Sequence, residues 1–260
     1  MHADIAIFAV GQLHIPRYPQ IPNLEKFCGP VLHPAEWDSG VDFNGKRISV
    51  IGTGSSAVQM LPTLASVAAE VTVHQRSPPW ILPKFSAEFG CVERIVLRLP
   101  GAHEVYRKAL QHGADILLSP IPRSRIWRGI VERYAERNLR KQVRDEKLVQ
   151  TLRPMYPAGS KRILFDNDFY PTLTRSKVHL VAGPIESVSE EGIRVADELW
   201  PADIIICATG FRAPDFLLPM AIYGRGGRSL SEDWRSGAEA FMGLAIHGYP
   251  KLIQSGWQQS

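Results

Sequence analysis

Lys46-Arg47-Ile48-Ser49-Val50-Ile51-Gly52-Thr53-Gly54-Ser55-Ser56-Ala57 is the stretch on which the fold turns. A β-branched run ends in G-x-G-x-x-A, and the residues from Ser55 to about Glu70 read as a helix that Pro62 kinks or breaks. Val71-Thr72-Val73 reads as a second strand, so the segment forms a βαβ unit. The first glycine permits the tight turn, the second opens the backbone to a pyrophosphate, and Ala57 is small enough for close helix packing. The helix N-terminus then faces the phosphates. The pattern takes its meaning from this strand–turn–helix frame. Gly52, Gly54, Ser55, Ser56 and Ala57 are therefore candidate dinucleotide ligands.

The end of the second strand bears on which dinucleotide. An NAD site usually places Asp or Glu there to hold the ribose hydroxyls. This chain has His74-Gln75-Arg76-Ser77 instead. A guanidinium stacks on adenine and pairs with a 2′-phosphate that a carboxylate would repel, which points to NADP(H). The plain alternative is a surface arginine after a strand.

A short pattern recurs on either side of this unit. Asp4 to Gly11 and Asp203 to Gly210 both read D-I-x-I-x-A-x-G. Each implies an acidic edge, a buried strand and a glycine where the backbone passes close to something. Ile15 to Pro22 is Pro-rich and reads as an extended connector. From Phe85 to Leu152 the chain reads as helical, with Trp127, Ile130, Val131 and Tyr134 at i, i+3, i+4 and i+7. Strands return at Val178 to Val181, Ile185 to Val188, Ile193 to Val195 and Ile204 to Ile206. The expected class is α/β: a doubly wound, Rossmann-like domain interrupted by a helical insertion.

With 260 residues and 45% hydrophobic content, the chain can bury the core of one or two domains. No apolar run reaches bilayer length, and the N-terminus has no secretory pattern, so a cytoplasmic location is expected. Cys28, Cys91 and Cys207 form no C-x-x-C pair and imply neither a disulfide framework nor a thiol redox centre. The net charge is +4; between Arg94 and Lys147, 13 Lys or Arg face 6 Asp or Glu, an excess of +7. These cations alternate with acids and no nucleic-acid motif accompanies them, so they read as a solvated helical face.

Ahead of the glycine turn, Phe27-Cys28-Gly29-Pro30-Val31-Leu32-His33-Pro34-Ala35-Glu36-Trp37-Asp38 reads F-x-G-x-x-x-H-x-x-x-W-D. That order resembles the fingerprint of Baeyer–Villiger monooxygenases, a branch of the class B flavoprotein monooxygenases. The related amine and sulfide oxygenases usually carry an aromatic followed by Lys or Arg where this chain has Trp37-Asp38. The resemblance implies FAD and NADP(H) as cofactors, O2 and a small ketone as substrates, and oxygen insertion beside a carbonyl through a flavin C4a-peroxide. It implies Arg76 and Ser77 as 2′-phosphate ligands. Lys161 and Arg162 match the Lys-Arg pair before the family's acidic, tyrosine-containing turn. By that match Lys161 contacts NADP(H) and Arg162 stabilises the flavin peroxide as a fixed cation. His33 and Arg162 are the catalytic candidates, His33 chiefly as organiser of an inter-domain hinge. Thr209 and Gly210, at the second copy of the repeated pattern, join the cofactor ligands; no metal centre is implied. Asp38 also suits the start of a turn into Ser39-Gly40.

By the same resemblance, residues 1–45 are the closing strand of an FAD domain and a linker, and 46–84 begin the NADP domain. Residues 85–152 are the helical insertion, 153–210 complete the NADP domain, and 211–260 return toward an incomplete, Rossmann-like FAD domain. A whole member carries an earlier strand–G-x-G-x-x-G–helix for FAD, and Gly224-Arg225-Gly226-Gly227 has neither its spacing nor its flanks. The expectation is a chain truncated at both ends. Two other readings stay open: amine or sulfide oxygenation, against which Trp37-Asp38 speaks, and a non-catalytic NADP-binding remnant, which the absent FAD loop supports.

Overall fold

A computed structural model describes residues 3–84, 89–121, 123–213, 217, 220–250 and 252–254. In chain order the first elements are β1 (Ala6–Phe8), β2 (Val31–Leu32), β3 (Arg47–Ile51), α1 (Ser55–Val67), β4 (Glu70–Gln75) and β5 (Ile81–Leu82). The helices α2 (Cys91–Val96), α3 (Ala102–Leu118), α4 (Arg125–Gln142) and α5 (Glu146–Leu152) follow. Then come β6 (Leu164–Phe165), α6 (Phe169–Leu173), β7 (Val178–Ala182), β8 (Ser187–Ser189), β9 (Gly192–Val195), β10 (Glu198–Pro201), β11 (Ile204–Cys207), α7 (Leu230–Asp233) and β12 (Leu252–Gln254). The chain divides into a larger compact unit, Ile21–Val31 with Val41–Ile206, and a smaller one, Met1–Gln20 with Leu32–Gly40 and Cys207–Ser260.

The larger unit is built around a five-stranded sheet in the order β2-β11-β3-β4-β7. β3 and β4 pair in parallel with Val50 opposite Val73, and β4 and β7 pair in parallel with Val73 opposite Leu180. Ile48, Val50, Val71, Val73, Ile204, Ile205 and Ile206 are all buried, and so are Ser49 and Thr72 between them, as strands covered on both faces require. α1 presents Ala57, Val58, Leu61, Leu64 and Ala65 as its buried stripe and packs against α6. Of the two outcomes expected at Pro62, a break is not seen: α1 runs on through it. Proline there loses one backbone hydrogen bond and crowds the carbonyl four residues back, and the burial of Leu61, Leu64 and Ala65 around it offsets that cost. The helix stops at Val67, not near Glu70, because Ala68 turns extended and Glu70 opens β4.

Within the insertion, α2 to α5 appear where helices were expected; residues 85–88, including the expected start at Phe85, lie outside the described residues. The residues read at helical spacing do lie on a helix, α4. Val131, Ala135 and Leu139 are buried, whereas Ile130 and Tyr134 are 47% and 46% exposed. Of the four residues at helical spacing, Val131 thus belongs to the buried stripe and Trp127 is partly buried beside it.

In the smaller unit β1 pairs in parallel with β12. The first copy of the repeated D-I-x-I-x-A-x-G pattern is not a buried strand, since Ile5 and Ile7 are 58% and 67% exposed. Gly11 and Gly210 both take positive φ, +70° and +84°, and open space surrounds each missing Cβ. Backbone conformation, not close approach, is what selects these two glycines. Among the described residues no helix is long and apolar enough to cross a membrane.

Candidate functional site

The glycine turn sits between β3 and α1 in the larger unit. Gly52 adopts φ +106° and donates its N–H to the carbonyl of His74, 2.9 Å away, which joins the turn to the end of β4. Thr53 is buried, and its hydroxyl donates to the carbonyl of Ser77 at 3.2 Å. Gly54 is exposed and caps α1 with no side chain, and nothing lies within 4 Å of the point its Cβ would occupy. The first-turn amides of Ser55, Ser56 and Ala57 thus sit at a helix end whose partial positive charge no side chain neutralises. Ala57 is 1% exposed, where a larger side chain would push α1 off the sheet.

Ser77 and Lys161 lie 84 residues apart in sequence but meet: the Lys161 ammonium donates to Ser77 Oγ at 2.9 Å. The same ammonium sits 4.5 Å from the ring centroid of Tyr156, whose hydroxyl donates to the carbonyl of Pro78 at 2.9 Å. Arg76 and Arg162 are exposed, and among the described residues neither is held in an ion pair. A polar rim therefore forms at the end of β4, with the ammonium beside the Ser77 hydroxyl. Such a rim accepts an anion with several acceptor oxygens. Thr53 and Tyr156 belong to this arrangement and were not singled out in the sequence. Their signals are faint: Thr53 is the variable position of G-x-G, and Tyr156-Pro157 lies shortly before Lys161-Arg162.

His33, Thr209 and Gly210 meet in the smaller unit. His33 is 1% exposed; its Nδ1 accepts from the Ala35 N–H at 3.1 Å, which leaves Nε2 to donate to the Gly210 carbonyl at 2.9 Å. Both ring nitrogens are thereby committed to backbone partners. The rings of Tyr18 and Phe211 lie 5.6 and 5.5 Å from it. Tyr18 donates its hydroxyl to Glu36 at 2.8 Å; burial and then the Glu36 carboxylate push the Tyr18 phenol up to about 12. Thr209 donates its hydroxyl to the Arg17 carbonyl, and the Gly210 carbonyl also accepts the Arg17 N–H. The proline-rich connector, the fingerprint and the segment after β11 are stitched together here. Asp38 accepts the Gly40 N–H at 2.8 Å and starts the expected turn, and Trp37 is 44% exposed. Gly29, in the larger unit, is a close approach: a Cβ there would stand 2.3 Å from the Asp203 carbonyl oxygen. Asp203 in turn pairs with Arg47 at 2.6 Å, tying the start of β3 to the lead-in of β11.

The model of the flavin-binding monooxygenase-like family matches residues 4–217. The chain is 37% identical over 96% of its length to the FAD-binding monooxygenase ktnD of Aspergillus niger, covering 41% of that protein. It is 34% identical over 96% of its length to a Baeyer-Villiger monooxygenase of Streptomyces coelicolor, covering 49% of that one. Among solved structures, OTEMO in complex with FAD and NADP superposes with a TM-score of 0.82 at 29% identity, over 96% of this chain and 56% of that one. A steroid monooxygenase bound to NADP gives a TM-score of 0.82 at 28% identity, over 96% of this chain and 55% of its own. The chain thus spans about half the length of the curated relatives it matches. With the βαβ turn, the fingerprint and a family match across most of its length, the chain belongs to the flavin-binding monooxygenase-like family.

Proposed function

We propose that this chain carries the coenzyme-binding part of an NADPH- and FAD-dependent Baeyer–Villiger monooxygenase that inserts one oxygen atom of O2 next to the carbonyl of a small ketone. Gly54 is the observation that carries the coenzyme reading. It is an exposed cap without a side chain on a 13-residue helix, and the space a Cβ would fill is open. A pyrophosphate needs that combination of close backbone, free amides and positive helix end. Gly52, Gly54, Ser55, Ser56 and Ala57 would hold it, while Arg76, Ser77 and Lys161 would hold a ribose phosphate. No carboxylate stands among residues 74–77 to repel that phosphate.

When bound, the nicotinamide supplies a hydride and the flavin the dioxygen chemistry. Arg162, exposed in this chain, contributes a guanidinium suited to stabilising negative charge on the flavin side. His33, engaged at both nitrogens, orders the connector together with Thr209 and Gly210. Trp37-Asp38, together with Baeyer-Villiger relatives in Streptomyces coelicolor and Pseudomonas aeruginosa, favours carbonyl substrates over nitrogen or sulfur.

Calorimetry on residues 1–260 tests the coenzyme reading: NADP+ is expected to bind at least about tenfold more tightly than NAD+. Equal affinities would remove its foundation. The reaction is tested in a chimera that completes the sequence with the flanking segments of the Streptomyces enzyme. Ketone-dependent NADPH consumption with ester formation is expected, and hydrogen peroxide as sole product from every ketone would count against it.

A further inference from the structure

We infer that Tyr156 sets the coenzyme preference by holding Lys161 against Ser77 as a preformed receptor for a phosphate monoester; this rests on the coenzyme reading above. A lysine on an exposed loop has considerable rotamer freedom to lose before it can fix an anion. Here that freedom is already restricted, because the ammonium lies 2.9 Å from Ser77 Oγ and 4.5 Å from the Tyr156 ring centroid. The ring is itself anchored. It packs against the cluster of Trp80, Leu82, Ile121 and Val131, its hydroxyl donates to the Pro78 carbonyl, and its own carbonyl accepts the Trp80 indole N–H at 2.9 Å.

Tyr156 therefore acts on both sides of Ser77, on Pro78 directly and on Ser77 through the ammonium it supports. Thr53 closes the arrangement from the glycine turn by donating to the Ser77 carbonyl. The hydrogen-bond count suits a phosphate. Ser77 Oγ accepts from Lys161, so its own O–H is free to donate, and the ammonium keeps donors beyond the one that Ser77 takes. A 2′-phosphate would meet a hydroxyl and a cation already in place, with Arg76 available beside Ser77 in the chain. A plain ribose would leave that charge unmatched. Tyr156 is thus a positioning residue, and it acts on the phosphorylated coenzyme alone.

The test measures binding of NADP+, NAD+, adenosine 2′-monophosphate and adenosine 5′-monophosphate to wild type, Y156F, Y156L and K161A by calorimetry. Y156F keeps the π face and should hold the NADP+ to NAD+ affinity ratio within about twofold of wild type. Y156L should lower the ratio about tenfold while NAD+ affinity stays within about twofold, and the two adenosine phosphates should follow the same pattern. A purely structural role would weaken both coenzymes together, and that result overturns the inference. An unchanged ratio in Y156L, with the preference lost in K161A, also overturns it and leaves the coenzyme reading standing. A wild type without preference overturns both. Should Y156L fail to fold by circular dichroism, Y156M, which fills the volume without a π face, is judged by the same ratio.

Discussion

Gly29 and Gly54 are both short-range necessities, but of opposite kinds. At Gly29 a methyl group would collide with a backbone carbonyl, Asp203 O at 2.3 Å, and with the Phe27 ring. Backbone cannot step aside as a side chain can, so G29A should destabilise the protein by about 1–3 kcal/mol. The urea midpoint measures this, and an unchanged midpoint would refute the close approach. At Gly54 the backbone has φ −75° and ψ −175°, which alanine adopts freely, and there is room for the methyl group. G54A should therefore change stability by no more than about 1 kcal/mol, the cost of a poorer cap, while weakening NADP+ by about tenfold or more because the methyl group fills the pyrophosphate's approach. Tight binding by G54A would place the pyrophosphate elsewhere. Both glycines stand out in the sequence as parts of motifs, yet only the fold separates a glycine kept for packing from one left open for a ligand. Tyr156 was illegible for a related reason: its meaning lies in Pro78 and Lys161, contacts that appear only once β4 and the 156–161 loop are brought together.

On β4 (Glu-Val-Thr-Val-His-Gln) the strand ends in His74-Gln75, and both side chains are buried at 3% and 2% exposure. His74 has a long contact to Ser49 Oγ, 3.4 Å, and its Nδ1 has no partner. Burial drives its pKa down to about 4. Because the folded value lies below the ordinary 6.5, protonation favours the unfolded chain. The contribution is complete above about pH 6.5 and is lost as pH falls toward 4, amounting to about 3 kcal/mol. Urea titrations at pH 7.5, 5.5 and 4 should show wild type losing stability across that window by about this much more than H74L. Parallel curves would mean that His74 reaches solvent. At this scale β3, α1 and β4 were readable because a βαβ unit is local: its period, its glycines and its strand residues lie within about thirty positions. The repeated D-I-x-I-x-A-x-G pattern misled because burial belongs to neighbours. β11 lies between β2 and β3 and is buried throughout, whereas β1, among the described residues, pairs with β12 alone and keeps Ile7 in solvent. Similarly, periodicity located α4, but the faces at Val131 and Ile130 differ only by what packs on them.

The smaller unit is assembled from three chain segments far apart in sequence, and the only sheet pairing within it among the described residues besides isolated bridges is that of β1 with β12. Its order around the fingerprint depends on a few polar contacts. Arg17 N–H and His33 Nε2 both end on the Gly210 carbonyl, Arg212 N–H reaches Ile15 O, and Ala35 N–H relies on His33 Nδ1. Removing the imidazole strands the Ala35 N–H and opens a cavity between the rings of Tyr18 and Phe211. That should cost about 2–4 kcal/mol locally. The unit has its own apolar cluster, Leu217, Leu230, Ile246, Tyr249 and Leu252, and the larger unit has its own sheet and the cluster around Trp80. Units with separate cores open separately. In H33A, amide exchange at Arg17 and Arg212 should therefore accelerate by about 30-fold or more, with the amides of β3 and β4 unchanged. Hydrogen–deuterium exchange on overlapping peptides reads both regions in one experiment. Equal loss of protection in β3 and β4 would show that His33 supports the whole molecule. Unchanged exchange at Arg17 and Arg212 would show that the connector is held without it.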